Sequence, residues 1–210
     1  MIVAIDGPAG AGKSTVARAL AERLSFRYLD TGAMYRALTW LAMQRGIDLG
    51  NADALAEIAL AQPVTFDDEG RVWIAGKDVT SSIREQRIDR MVPVVARHTA
   101  VREVMRERQR QLGREGDVVI EGRDIGTVVA PQAEVKVYLV ADRDERAKRR
   151  MADRPGIGAD ALATDLKYRD DRDAERMQPA DDAQQIDTTH KSVEEVVERI
   201  EALVRDRTPA

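Results

Sequence analysis

The sequence predicts an α/β protein built on a parallel sheet that helices cover on both faces. Short apolar runs, Ile2-Val3-Ala4-Ile5, Val118-Val119-Ile120 and Val135 to Val140, stop abruptly at turn residues, as buried strands do. Stretches with helical spacing separate them. The chain has 210 residues, which suits one domain with insertions and suffices for a sizeable core.

Taken in order, Ile2–Ile5 reads as a buried strand followed at once by a Gly/Pro turn. Residues 14–24 read as a helix with Val16, Leu20 and Leu24 on one face. A second short strand, Phe26 to Leu29, ends at Asp30-Thr31-Gly32. Helices follow from Met34 to Arg45 and from Asp53 to Ala61, the second stopping before Pro63. Residues 63–79 change character. Val64-Thr65-Phe66 and Val72-Trp73-Ile74, around Asp67-Asp68-Glu69-Gly70, predict a hairpin, Ala75 to Asp78 a further turn, and Val79 the start of a third strand. Helical spacing returns from Ser82 and again from Thr99 to Leu112. After the strands at 118–120 and 135–140 comes an Arg-rich helix (Arg143, Arg146, Arg149, Arg150), broken by Pro155-Gly156 and Gly158. A charged helix covers roughly 160–176, and a polar stretch leads to Ile186-Asp187. Ser192 is the expected N-cap of the last helix, which buries Val193, Val196, Val197, Ile200 and Leu203.

Composition narrows the function. Formal net charge is -4 with both signs mixed, so no nucleic-acid polymer is expected as a partner. Lys stands at only six positions, and the Arg that dominates the basic set forms a fork suited to phosphate oxygens, although genome composition explains an Arg surplus equally well. Cysteine is absent, which excludes disulfides and thiolate metal sites. No apolar run reaches the ~18 residues of a membrane helix, and Asp6 interrupts the first one. A cytoplasmic, soluble monomer is expected.

The chemistry begins at Gly7-Pro8-Ala9-Gly10-Ala11-Gly12-Lys13-Ser14, followed by Thr15. It satisfies G-x-x-x-x-G-K-[ST] between a strand and a helix, the context a phosphate-binding loop requires. Its glycines let backbone N–H groups converge on phosphate oxygens, and the helix dipole adds positive potential. Lys13 would reach the β- and γ-phosphates and Ser14 would bind Mg²⁺. Such a loop serves switch GTPases, motor ATPases and small kinases. The N-K-x-D element of the first is absent, and Arg-rich helices after the later strands suggest the third. A phosphate monoester acceptor, whose second pKa is about 6, attacks without a general base, so cations matter more than carboxylates. Arg36, Arg102, Arg123, Arg149, Arg150, Arg169 and Arg176 are the candidates. Arg123, just past a buried strand, and Arg36, beside the Asp30 turn, stand out from arginines that ordinarily face solvent.

The strings IDGPAGAGKST, LDTGAMYRA, IEGRDIGTVV and YRDDRDAER, in this order, resemble those of the bacterial cytidylate kinases along essentially the whole chain. The resemblance implies a P-loop NTPase fold with a parallel five-stranded sheet. It implies a single kinase domain over 1–210: a core of about 1–35, 111–141 and 179–210, a β-containing NMP-binding insertion at about 36–110, and a helical lid at about 142–178. It implies phosphorylation of CMP and dCMP by ATP with Mg²⁺. By the same resemblance Thr31 and Arg36 contact CMP, Arg102 faces the cytosine, and Arg123 and Asp124 hold the acceptor phosphate and the base amino group. Arg169, Asp173 and Arg176 bind the sugar, and Arg149 and Arg150 are lid arginines near the ATP phosphates. With Lys13, Arg123, Arg149 and Arg150 form the implied catalytic set. Asp124 suits the exocyclic amine of cytosine, which uracil lacks.

One position departs from the pattern. Where the family usually has a serine that bonds cytosine, nine residues before Arg102, this chain has Pro93, with neither hydroxyl nor N–H. One lost hydrogen bond costs about 0.5–1.5 kcal/mol. Two other readings stay open: a kinase for UMP or another small phosphate acceptor, and a non-catalytic nucleotide-binding regulator. Trp40 and Trp73 read as packing residues, and His98 and His190 lack metal-ligand spacing.

Overall fold

The computed structural model describes residues 1–67, 69–153, 164, 166–167, 170–171 and 177–207. In chain order the elements are β1 (Ile2–Asp6), α1 (Lys13–Leu24), β2 (Arg27–Asp30), α2 (Thr31–Gln44), α3 (Ala52–Ala61), β3 (Thr65–Phe66), β4 (Val72–Ile74), β5 (Lys77–Asp78), α4 (Gln86–Ala96) and α5 (Thr99–Gly113). Then come β6 (Val118–Glu121), β7 (Val135–Val140), α6 (Arg143–Asp153), β8 (Gln184–Asp187) and α7 (Val193–Arg205). A 3₁₀ turn spans Ser82–Arg84 and a π-helical turn Ile125–Val129. The chain divides into two compact units, residues 1–29 with 113–210, and residues 30–112.

The first unit carries the five-stranded sheet in the order β2-β6-β1-β7-β8. β1 is central and pairs in parallel with β6 and β7, and β7 pairs in parallel with β8. A strand with two neighbours and two covered faces has no wet side, so Val3, Ala4 and Ile5 are fully buried. On one face Val16 and Leu20 of α1 pack with Val196, Val197 and Ile200 of α7 against Val3, Val137 and Leu139. Each such side chain contributes about 1.5–3 kcal/mol on burial. The cap of α7 is reciprocal: the Glu195 amide donates to the Ser192 hydroxyl (3.2 Å) and the Ser192 amide to the Glu195 carboxylate (2.7 Å). β8 pairs in parallel with β7, and it exposes Gln184 and Gln185 while burying Ile186.

The second unit packs α2 with α3, α4 and a three-stranded antiparallel sheet, β3-β4-β5. Its core includes Met34, Leu38, Leu55, Ile74, Ile83 and Ile88. α2 begins at Thr31, ahead of the apolar spacing that opens at Met34, because the Asp30 carboxylate accepts the Ala33 amide (2.8 Å) and caps the first turn. The expected four-residue turn at Ala75 to Asp78 is corrected to two residues. Ala75 (φ 51°) and Gly76 (φ 70°) both take left-handed backbone, which closes a tight hairpin, so Lys77 and Asp78 already pair with Ile74 and Trp73. Alanine seldom takes that conformation, and nothing in the apolar pattern signals it. Pro93 lies inside α4. Asp68 of the hairpin turn and most of the helix expected over 160–176 lie outside the described residues.

Candidate functional site

In the first unit the site is built where β1 stops. Gly7 has φ 144°, Gly10 φ 78° and Gly12 φ 88°. A Cβ at Gly7 would stand 2.2 Å from the Leu139 carbonyl oxygen, and one at Gly10 would be 3.0 Å from the backbone of Arg146. The loop therefore wraps against β7 and α6 at a distance only glycine allows. Gly12 is the N-cap of α1 and offers no side chain to its first turn. The amide groups and positive end of the dipole thus face the loop, the arrangement that attracts phosphate. The Lys13 ammonium donates to the Pro8 carbonyl (2.8 Å), while Ser14 and Thr15 are exposed on the first turn. Pro8, Ala9 and Ala11 complete the loop.

The segment after β6 is tied to the end of β1 and the start of this loop. The Gly122 amide donates to the Ile5 carbonyl (3.0 Å), and the Arg123 guanidinium donates to the Gly7 carbonyl (2.6 Å). The Ile125 and Gly126 amides donate to the two carboxylate oxygens of Asp6 (2.9 and 2.8 Å). Burial pushes the Asp6 carboxyl above its ordinary value, against the two amide donors and the Lys13 charge, with Asp124 adding to the rise. Asp124 is half-buried, and its carbonyl accepts the Val128 amide at the start of the π-helical turn.

α6 brings its arginines to the other side of the loop. Arg149 donates to Glu145 (3.1 Å) and, through both terminal nitrogens, to the Thr188 hydroxyl (2.9 Å) and carbonyl (2.6 Å). The Thr188 hydroxyl lies 3.1 Å from the Ala11 and Val140 carbonyls. A Cβ at Gly12 would be 3.6 Å from Arg149 Nη1, so this guanidinium already borders the phosphate loop. Arg150 follows, half-buried on the same helix. Arg146 is buried and bridges the Ala9 carbonyl (3.1 Å) to the Asp170 carboxylate (3.0 and 2.7 Å).

In the second unit, Thr31 and Arg36 lie on the first turns of α2. Arg36 Nε donates to the buried Asp89 (3.1 Å), and Arg84 donates to Asp30 (2.9 Å). Burial would raise the Asp30 carboxyl, but the Arg36 and Arg84 charges and the Ala33 amide overrule it and hold it below its ordinary value. Arg102 caps the end of α4, donating to the Arg97 carbonyl (3.0 Å), the Ala96 carbonyl (3.4 Å) and the Thr99 hydroxyl (3.3 Å). A cation at a helix C-terminus is favourable in its own right.

The family model for cytidylate kinase matches residues 3–206. A cytidylate kinase of Bacillus licheniformis is 45% identical over 97% of this chain and 96% of its own length. The chain belongs to the cytidylate kinase family. A cytidylate kinase of Bacillus subtilis is likewise 45% identical, over 98% of this chain and 97% of that one. A solved shikimate kinase of Bacteroides thetaiotaomicron superposes with a TM-score of 0.53 at 17% identity, covering 98% of both chains, which is a likeness of fold alone.

Within this cytidylate kinase family member the structure gathers Gly7–Ser14, Arg123 and Arg149 in the first unit and Thr31 and Arg36 in the second. Arg169, Asp173 and Arg176 lie outside the described residues. Sequence reasoning did not single out Asp6, Thr188, Asp30, Asp89, Arg84 and Arg146 as site residues. Asp6 left one signal, a carboxylate directly after an apolar strand. Thr188 left none, because a threonine in a polar loop is unremarkable until the strands are placed side by side.

Proposed function

We propose that this chain transfers the γ-phosphoryl group of ATP to CMP or dCMP, giving ADP and CDP or dCDP. The family match over residues 3–206 carries the reading. The phosphate loop supports it, with Arg123 hydrogen-bonded to its first glycine and Arg149 alongside.

In this reading Gly7 to Thr15 hold the ATP phosphates, and Lys13 leaves the Pro8 carbonyl for the β- and γ-phosphates. Arg123 leaves the Gly7 carbonyl to bind the acceptor phosphate and the transferring group. Arg149 and Arg150 offset charge on the equatorial oxygens. Thr31 and Arg36 hold the acceptor's phosphate end, with Asp89 orienting Arg36. Asp124 accepts from the cytosine amine, and Arg102 reaches the base by giving up its cap on α4. Arg169, Asp173 and Arg176 hold the sugar. Residues 142–178 act as a lid that excludes water from the transfer, and residues 36–110 as the acceptor-binding part.

A magnesium ion suits the donors present. Mg²⁺ usually keeps several waters and takes one or two protein oxygens plus substrate phosphates. The exposed Ser14 hydroxyl on the first turn of α1 supplies such an oxygen, and the described residues include no group of three or more His, Asp or Glu able to hold a metal ion. When bound, it would neutralise charge on the phosphate oxygens.

A coupled ADP-release assay with CMP, dCMP, UMP and AMP tests the reading. CMP and dCMP are expected to turn over fastest, and UMP turning over equally fast would defeat the base assignment. Arg123→Ala should lower turnover several hundred-fold, within the roughly 10²–10³ cost of removing a positioned charge-stabilising donor. Near-normal turnover would make Arg123 merely structural.

A further inference from the structure

We infer that Asp6 is a positioning residue that locks the acceptor-side loop 122–126 onto the donor-side phosphate loop, so that Arg123 and Asp124 are held in register with ATP. The inference rests on the proposed roles of those two residues. The paired ladder between β1 and β6 ends at Ile5 and Glu121. Beyond a ladder, neighbouring strands have no regular bonds to keep them together. Here Ile5, Asp6 and Gly7, at and just past the ladder's end, each take hold of the neighbouring loop. Ile5 accepts from Gly122, Gly7 accepts from Arg123, and between them Asp6 accepts from Ile125 and Gly126, one amide to each oxygen. Arg123 and Asp124 are thus pinned on both flanks.

The carboxylate is only 6% exposed, a costly position for an ionised group unless its oxygens are satisfied, and the two amides satisfy them. Those amides open the π-helical turn Ile125–Val129, which gets no side-chain cap from its own N-cap, Asp124. Asp6 therefore caps a neighbouring turn across the sheet. The carboxylate lies in contact with the turn it caps: a Cβ on Gly126 would stand 3.4 Å from Asp6 Oδ2. Each carboxylate oxygen is engaged by one of these amides, so the effect of Asp6 on catalysis is assigned to the loop it holds.

The test is a double-mutant cycle on the full-length enzyme. Asp6→Asn keeps the size and one acceptor oxygen but turns an NH₂ group toward one amide. It is expected to lower kcat/KM for CMP by about 10–100-fold, the scale at which a misplacement near 1 Å acts. The Kd for ATP should stay within about threefold of wild type, and Asp6→Asn should add less than about threefold in an Arg123→Ala background. Equal penalties in both backgrounds, or ATP binding falling in step with turnover, would assign Asp6 to the phosphate loop alone and overturn the inference. Should Asp6→Asn fail to fold, Asp6→Glu keeps the charge but displaces both oxygens by one methylene. It should lower kcat/KM for CMP several-fold, and a silent Asp6→Glu would count against the lock. Arg123→Ala with normal turnover would sink the reading of the site itself. Arg123→Ala crippled beside a fully active Asp6→Asn would sink the role of Asp6 alone.

Discussion

Gly7 and Gly46 both carry positive φ, and the difference between them separates a functional glycine from a conformational one. At Gly46, beyond the end of α2, a Cβ would meet nothing within 4 Å. Gly46→Ala should cost about 1–2 kcal/mol, the left-handed penalty of an L-residue, with kcat and KM unchanged. At Gly7 the added Cβ would sit 2.2 Å from the Leu139 carbonyl oxygen, a backbone atom of a central strand that cannot swing aside. Gly7→Ala should therefore displace the phosphate loop, weakening ATP binding at least tenfold as well as destabilising the fold. Urea unfolding and ATP titration of both variants check this, and normal ATP affinity in Gly7→Ala would refute it. At this scale the sequence was most informative where a motif fixes spacing, as in Gly7–Ser14, and least where a role depends on a distant partner. Asp6 shows only as the end of an apolar run, since its amide partners stand 119 and 120 residues away. Arg102 could be named from its string, yet its place as the cap of α4 follows from the helix end beside it.

Among the elements, the hairpin β3–β4 shows how a polar turn can be fixed by one side chain. Asp67 accepts from the Trp73 indole N–H (2.9 Å), from the Arg71 guanidinium (2.7 Å) and from the Glu69 and Arg71 amides (3.1 and 2.9 Å), and Arg71 lies over the Trp73 ring. Partial burial alone would raise this carboxyl; the Trp73 and Arg71 donors overrule it and bring it down to about 2. A depressed carboxylate stabilises the fold fully above its unfolded pKa of about 4 and loses that contribution as pH falls toward 2. Asp67→Asn should therefore flatten this part of the acid limb of unfolding, and a side-chain NMR titration should find Asp67 still ionised at pH 3. A midpoint near 4 would show that these donors do not hold it. The apolar alternation made this hairpin legible in outline. The second turn was misplaced because Ala75 adopts a backbone that no residue pattern announces. α2 begins at Thr31 because a cap, rather than apolar spacing, sets its first turn.

For the whole molecule, the alternation of strand and helix was enough to give the sheet its class, but not its order. β1 lies between β6 and β7, which follow it by more than a hundred residues, and only side-by-side placement reveals that the phosphate loop and the 122–126 loop share one edge. The long separation also explains the two units. Residues 30–112 complete a core of their own before the chain returns at Gly113 to finish the sheet begun by β1. Units with separate cores open separately, and a ligand protects amides only against openings that abolish its binding. Hydrogen exchange should thus separate the two substrates. With ATP at a hundred times its Kd, amides of the first turn of α1 that exchange through such openings should slow by about a hundredfold, corresponding to about 2.7 kcal/mol, while those of residues 33–38 in α2 stay near their free rates. CMP alone should do the reverse, slowing residues 33–38 and the 122–126 loop. If ATP alone protected α2 as strongly as α1, the division of labour between the units would be wrong, because a donor bound to the phosphate loop would then be stabilising a core to which the proposed mechanism gives it no contact.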